Sequence, residues 1–530
     1  MIPSLATYDF LSILTPILLA LVALGAMALD ALGSVAAMLV DASVLKYRSK
    51  VIGAFTLFGL LVILVVGWMV GLPPWLGSPL RSSGAFFGQV LPDGYTLFFN
   101  TLFLIAALAT TILSLAYWDA LQERGESYIL LLLSVIGMSL MASAHDLLIF
   151  FVGLETMSIP IYVLVGSERK NVRSNEAALK YLLLGAFASA LLLYGIALLY
   201  GITGSIGYRD MALGVGNILL TGDAASKTVL MVGVGLLLVG LFFKVAAVPF
   251  HMWTPDVYEG APTPITGFMA TGVKAAAFAA LVRIFITAFA PVWSQETLLV
   301  VLFILAVLTM TLGNVTAIAQ RDVKRMLAYS SIAHAGYLLV GLAALAASGV
   351  PLPGTAMSEL FSSGSSILFY LLAYTFMTLG AFGVLVALER EKQVAQSLET
   401  LAGLSTRRPG LAAMMAIFMF SLAGVPPFIG FAAKFYIIQS AVTMELYVLA
   451  VIMVVNSAIS AYYYLRILVV MYMQPGERLT ITDPTLPFGT YVVNVVMAAA
   501  VLVIGVFPET VMPLLGEVFD KGMFYFPFTK

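Results

Sequence analysis

The stretch Leu241 to Arg283, LFFKVAAVPFHMWTPDVYEGAPTPITGFMATGVKAAAFAALVR, decides how the rest of this chain is read. It begins as an apolar helix carrying one lysine, Lys244. At Pro249 it breaks into a polar passage holding His251, Asp256 and Glu259, and it resumes as a second apolar helix with its own lysine, Lys274. An ionisable side chain at bilayer depth costs about 2.5–3.5 kcal/mol on insertion scales, so such residues face protein or water and usually carry function. Backbone is interrupted at that depth only where protein or a wet cavity satisfies the freed polar groups. Two lysines around a broken helix point to an ion path.

The composition sets the same frame. Of 530 residues, 61% are hydrophobic and 10% charged, against about 45–50% and 25% in soluble proteins. The fold class expected is an all-α polytopic membrane protein. With 26 basic and 27 acidic residues, nothing favours nucleic-acid binding. The absence of cysteine excludes thiolate-held iron–sulfur clusters and zinc-finger sites within the chain. His145, His251 and His334 are the three histidines, and no two stand at ligand spacing, which argues against a haem or catalytic metal here. The opening MIPSLATYDFLSILTPILLA lacks a basic n-region or an Arg-rich transit pattern, so its apolar run is read as a permanent helix.

Apolar runs of about 20 residues give about fourteen transmembrane helices. Loops after odd-numbered spans hold fifteen lysines and arginines and those after even-numbered spans five. That bias predicts a multi-pass protein of the bacterial inner membrane with both termini periplasmic. Six basic residues fall inside spans: Lys180, Lys244, Lys274, Arg283, Lys434 and Arg466. Arg283 and Arg466 stand near span ends, where snorkelling accounts for them.

The chain also repeats itself. YVLVG at Tyr162–Gly166 returns as YLLVG at Tyr337–Gly341, and AAVPF at Ala246–Phe250 returns as AGVPPF at Ala423–Phe428, with Pro426 matching Pro249. The two offsets agree within two residues. The expected organisation is three N-terminal helices (1–117), a five-helix unit broken at Pro249 (128–288), a second five-helix unit broken at Pro426 (297–472), and a last helix with a tail (473–530). An odd helix number inverts the second unit relative to the first, and inverted repeats with discontinuous helices are a transporter layout.

Within these units, Glu155 lies deep in the fifth span and shares a helix face with Ser158 and Tyr162. Lys244 precedes its break by about one turn, whereas Lys434 follows its own. Lys274 lies mid-span among small residues that leave room for water. His334, between Lys274 and Lys434 in chain order, is a candidate relay. Lys180 follows Glu176 by four residues, which suits a helix salt bridge or a role in proton uptake. GVGLLLVG at Gly233–Gly240 is read as helix packing. Gln320, Arg321, Asp322, Lys324 and Arg325 are read as a solvated loop.

FKVAAVPFHMWTPDVYEGAPTP, GLETMSIPIYVL, QRDVKRMLAYSSIAHAGYLLVG and LAGVPPFIGFAAKFY together closely resemble the antiporter-like membrane subunits of respiratory complex I. The resemblance covers roughly residues 95 to 475. The form HMWTPDVYEGAPTP from His251 separates the chain from the sister subunits L and M, and a lysine at 434 separates it from M. The resemblance implies a non-redox, proton-translocating subunit of an NADH:quinone oxidoreductase. Glu155 then resembles the fifth-helix acid, Lys244 the lysine paired with it, Lys274 the bridging lysine and Lys434 the terminal base. It implies no cofactor in this chain, with NADH, FMN, iron–sulfur clusters and quinone held by partner subunits. The implied partners are sister antiporter-like subunits, small membrane subunits, the hydrophilic redox arm and lipids. An Mrp-type cation/proton antiporter subunit and a membrane scaffold with buried charges for packing stand as alternatives.

Overall fold

The computed structural model describes residues 13–39, 44–75, 88–121, 125–292, 296–348, 357–389, 397–475 and 487–523. Both termini, and with them the sequence-based orientation of the termini, lie outside the described residues. The first helices are α1 (Leu14–Leu39), α2 (Val44–Trp75), α3 (Gly94–Leu121), α4 (Glu126–Ser143), α5 (Leu147–Val165) and α6 (Val172–Thr203). They are followed by α7 (Tyr208–Thr221), α8 (Ala224–Val245), α9 (Trp253–Gly260) and α10 (Thr263–Thr287). The second half holds α11 (Glu296–Ala319), α12 (Val323–Ala347), α13 (Met357–Glu389), α14 (Pro409–Ala423) and α15 (Ile429–Thr443). α16 (Tyr447–Met473), α17 (Phe488–Val506) and α18 (Met512–Met523) complete the described chain.

Thirteen of these helices are long and apolar enough to cross a membrane. α14 and α15, 15 residues each, reach about 22 Å apiece and cross only as a pair. By length and composition this gives fourteen candidate crossings among the described residues, as the apolar runs predict. The shorter α7 and α18 were not foreseen, because Arg209 and Asp210, or Glu517 and Asp520, interrupt their apolar runs. Every residue of α10 is buried, and α12 and α13 are nearly so. The outer helices present stripes such as Leu179, Leu183 and Phe187 on α6, each more than half exposed. That pattern suits a hydrocarbon solvent.

Close backbone approach fixes the helix pairs. A Cβ on Gly137 of α4 would lie 2.2 Å from Met157 N and 2.5 Å from Gly153 O on α5. On α11, a Cβ on Gly313 would lie 2.6 Å from Ala333 N and 3.0 Å from Tyr329 O of α12. All three correspondences share one offset of 176 residues. Gly195 and Gly233 bring α6 and α8 together in the same way, so GVGLLLVG is a packing face.

The two interruptions are built alike. α8 ends at Ala246, φ 61°, where Ala247 N donates to Phe242 O at 2.9 Å and Ala246 N to Phe243 O at 3.1 Å. α14 ends at Gly424, φ 87°, where Val425 N donates to Phe420 O and Gly424 N to Ser421 O, both at 3.0 Å. Both are Schellman motifs, which satisfy carbonyls that would otherwise be orphaned. Trp253 Nε1 donates to Phe243 O at 3.0 Å, and Val248 N to Thr309 Oγ1 at 3.0 Å.

Several charges read as surface features are structural. Arg283 is 1% exposed and forms a two-point ion pair with Asp93, Nη1 to Oδ2 at 2.7 Å and Nη2 to Oδ1 at 2.9 Å. Its span-end position suggested snorkelling, but Asp93 just ahead of α3 lies on the same membrane face and neutralises it. Arg466 donates to Ile318 O and Gln320 O at the end of α11. Asp322 caps α12 through Arg325 N at 2.8 Å, and buried Lys324 donates to Ala261 O at 2.7 Å, so this loop is not simply solvated. Arg325 bridges Asp256 at 2.8 Å and Glu259 at 2.7 Å on α9, while Lys180 on α6 reaches Asp256 at 2.8 Å and Glu176 at 2.7 Å. The polar passage after the first break is thereby tied to both halves of the chain.

Two outcomes follow from this packing. Gly137→Leu should force α4 from α5, destabilising by about 1–3 kcal/mol or more, read as lower assembly on native gels and an earlier melt in detergent. Burial alone would raise the Asp256 carboxyl, but hydrogen bonds from Lys180 and Arg325 outweigh it and hold the group below the usual carboxylate range. Such a group stabilises the fold above its unfolded pKa, about 3.9, and loses that contribution as pH falls through its lower folded value. Asp256→Asn should therefore cost ~1 kcal/mol or less, given partial exposure. The deficit should stay constant from about pH 5 to about pH 8 and vanish in strong acid, as thermal melts would show.

Candidate functional site

The site is a line of polar side chains on α5, α8, α10, α12 and α15, all buried except the half-buried Glu155. Lys244, 3% exposed, sits in the last turn of α8, where a cation favours the negative end of the helix dipole. Its Nζ donates to Ser158 Oγ at 2.7 Å and Tyr162 OH at 3.2 Å, with the Tyr162 and Tyr181 ring centroids 5.3 and 5.5 Å away. Gly185 on α6 leaves the room that the Tyr162 hydroxyl occupies.

Glu155 is one turn up α5 from Ser158, about 4.5 Å along the axis, and accepts from Ser189 Oγ of α6 at 2.6 Å. Among the ion pairs of the described residues none joins Glu155 to Lys244. The resemblance suggested a direct pair; here the amine rests on Ser158 and Tyr162, three and seven residues after the acid. Their shared face was legible, and their role as the lysine's partners was not.

Lys274, 1% exposed, follows a π turn, Met269–Val273, inside α10. Such bulges are rare and concentrate at functional sites. Its Nζ donates to both the carbonyl and the hydroxyl of Ser331 on α12. His334, also on α12 and 1% exposed, bonds Tyr370 OH through Nδ1 at 2.6 Å and Tyr464 OH through Nε2 at 3.1 Å. Tyr464 is bonded in turn to Ser330.

Two further tyrosines place His334 between the lysines. The Tyr374 ring lies 5.6 Å from Lys274 Nζ and 4.9 Å from the His334 ring. The Tyr337 ring lies 5.5 Å from His334 and 5.3 Å from Lys434 Nζ. Lys434 donates to Leu422 O at 3.0 Å, Ala423 O at 2.9 Å and Ser457 Oγ at 2.9 Å. It therefore reaches back from α15 to the broken end of α14, the place Lys244 occupies on α8. Gly424 allows this approach, since a Cβ there would lie 3.0 Å from Lys434 Cδ.

Glu155 thus lies on α5, to which Lys244 of α8 bonds through Ser158, while His334 lies on α12, to which Lys274 of α10 bonds through Ser331 and which sets Tyr337 against Lys434 of α15. Lys180 stands apart, in the half-exposed ion-pair network with Asp256 and Glu176. The tyrosine and serine links escaped the sequence reading because uncharged hydroxyls carry no depth penalty large enough to single them out.

The chain is similar to known membrane proteins over most of its length. The family described as NADH:quinone oxidoreductase/Mrp antiporter, TM, matches residues 144–460. A relative from Trichlorobacter lovleyi named NADH-quinone oxidoreductase subunit N is 46% identical over 81% of this chain and 84% of its own length. One from Sorangium cellulosum, named NADH-quinone oxidoreductase subunit N 1, is 47% identical over 79% and 81%. A chain of respiratory complex I from Thermus thermophilus superposes with a TM-score of 0.71 at 33% identity, covering 95% of this chain and 99% of that one. A chain of the Mrp complex from Dietzia has a TM-score of 0.77 at 22% identity over 98% of each chain, a likeness of fold alone. With more than half its length matched, and with buried lysines set at two broken helices, the chain belongs to the NADH:quinone oxidoreductase/Mrp antiporter membrane family, on the branch of its subunit N relatives.

Proposed function

We propose that the chain is a membrane-arm subunit of a bacterial inner-membrane NADH:quinone oxidoreductase, and that it moves protons along Glu155, Lys244, Lys274, His334 and Lys434. The observation that carries this reading is that three buried lysines are each held by neutral oxygens, with no carboxylate paired to any of them among the described residues. A permanent structural cation is normally paired when buried. An amine bonded only to hydroxyls and carbonyls releases and regains a proton without breaking an ion pair.

The residues then divide the work. Approach of Glu155 towards Lys244 holds the proton on the amine by Coulomb attraction, and its retreat to Ser189 lets the proton go. Lys274, His334 and Lys434 carry it across the middle, with Tyr374 and Tyr337 as shared neighbours. The matching breaks and the common offset of the glycine contacts support two inverted units, the layout in which one half opens while the other is closed. Lys180, tied to Asp256, is placed for proton uptake at the basic-loop face. Redox chemistry belongs to partner subunits holding flavin, iron–sulfur clusters and quinone. In this reading both termini are periplasmic.

The decisive experiment is NADH-driven proton transport in membrane vesicles carrying the assembled complex. Lys244→Ala should lower coupled transport by about tenfold or more while assembly persists, since the carrier itself is gone. Ser158→Ala should cause a smaller loss, because Tyr162 still holds the amine. Full transport by an assembled Lys244→Ala complex would refute the assignment.

A further inference from the structure

Glu389 is the last described residue of α13. Thr263 Oγ1, at the start of the helix that carries Lys274, donates to Glu389 Oε1 at 2.6 Å. Glu389 Oε2 is buried and has no hydrogen-bond partner among the described residues. Neither Glu389 nor its neighbour Glu168 makes an ion pair among the described residues. Glu168, in the loop between α5 and α6, accepts from Tyr117 OH and, at 2.9 Å, from Asn171 Nδ2.

Lys324, Glu168 and Asp322 all lie within electrostatic reach of Glu389. The Lys324 amine is committed to Ala261 O at 2.7 Å, and Asp322 caps α12. A buried carboxylate oxygen with nothing to accept from is a place for a proton. It stands on the same face as the basic loops of Arg169 and Arg321. Hydroxyls mark the way inward: Thr263 is followed one turn later by Thr266, which donates to Tyr258 O at 3.0 Å. The Tyr258 side chain lies beside Ser331, the acceptor of Lys274.

We propose that Glu389, with Glu168 beside it, collects protons at the basic-loop face and supplies them to Lys274. Hydronium gives its proton to Glu389 Oε2, leaving water and a neutral carboxylic acid. The acid then loses that proton inward, through the hydroxyls and intervening water, to the unprotonated Lys274 amine, and the carboxylate and an ammonium result. This rests on the proton-transfer reading above.

The test is NADH-driven proton uptake by vesicles bearing the assembled complex, followed from about pH 6 to about pH 8.5. Glu389→Gln should slow uptake by about threefold or more, with the deficit widening as pH rises and free protons become scarce. Glu389→Asp, which keeps the acid, should restore most of the rate. An assembled Glu389→Gln complex that pumps like the parent at every pH, while Lys274→Ala does not, overturns the collecting role and leaves the proton path standing. Normal pumping by both overturns the path itself. Should Glu389→Gln not assemble, Thr263→Ala leaves both carboxylates but cuts the first inward hydroxyl. Parent-like uptake with that variant overturns the proposal, and slowed uptake supports it.

Discussion

A helix that stops inside a hydrocarbon layer leaves its last carbonyls with no water to bond, and the rest of this structure depends on how that is solved twice. At the end of α8 the solution is a left-handed Ala246, with Trp253 and Thr309 taking up neighbouring backbone groups. At the end of α14 it is a left-handed Gly424 and the amine of Lys434, which donates to Leu422 O and Ala423 O. The second solution ties stability to chemistry. On the proposed path, a proton leaving Lys434 would weaken this helix cap and its return would restore it, since the same amine closes the backbone.

Around these breaks the packing keeps the charges in place. α10, α12 and α13 are surrounded by the other helices, so Lys274 and His334 meet no lipid. Gly137 and Gly313 allow α5 and α12 to lie hard against their neighbours, and these two helices display the partners of the lysines, Ser158 and Ser331. The buried pair of Arg283 and Asp93 pins α10 to the start of α3 at the opposite face. A polar centre is held by tight apolar surroundings, which also raise the cost of any unpaired group.

Much of this was legible in the chain itself, for physical reasons. Apolar length reports membrane crossings directly, proline reports the breaks, and a lysine among apolar residues reports a polar interior. The crossings and the depth of Lys244, Lys274 and Lys434 are accordingly where the apolar runs place them. Partner choice was less accessible. Whether Lys244 bonds Glu155 or Ser158 depends on about one helical turn, and Arg283 reads as a surface residue until Asp93, far earlier in the chain, is brought beside it. α7 and α18 escaped because short amphipathic helices lack the continuous apolar signal. Ser331, Tyr337 and Tyr374 escaped because neutral hydroxyls look like ordinary residues of a helix.

The π turn at Met269–Val273 has a consequence for Lys274. One residue more than an α turn is accommodated there, so everything after it is rotated by one residue's share of the screw, about 100°. The direction in which Lys274 points is set by that surplus residue as much as by its place in the sequence. If the bulge tightened into a regular turn, the amine would swing around the helix axis, off Ser331 and Tyr374, and shift by about 1.5 Å along it. The helix thus contains a rotary hinge of a single residue, immediately ahead of the one side chain in it that carries an amine.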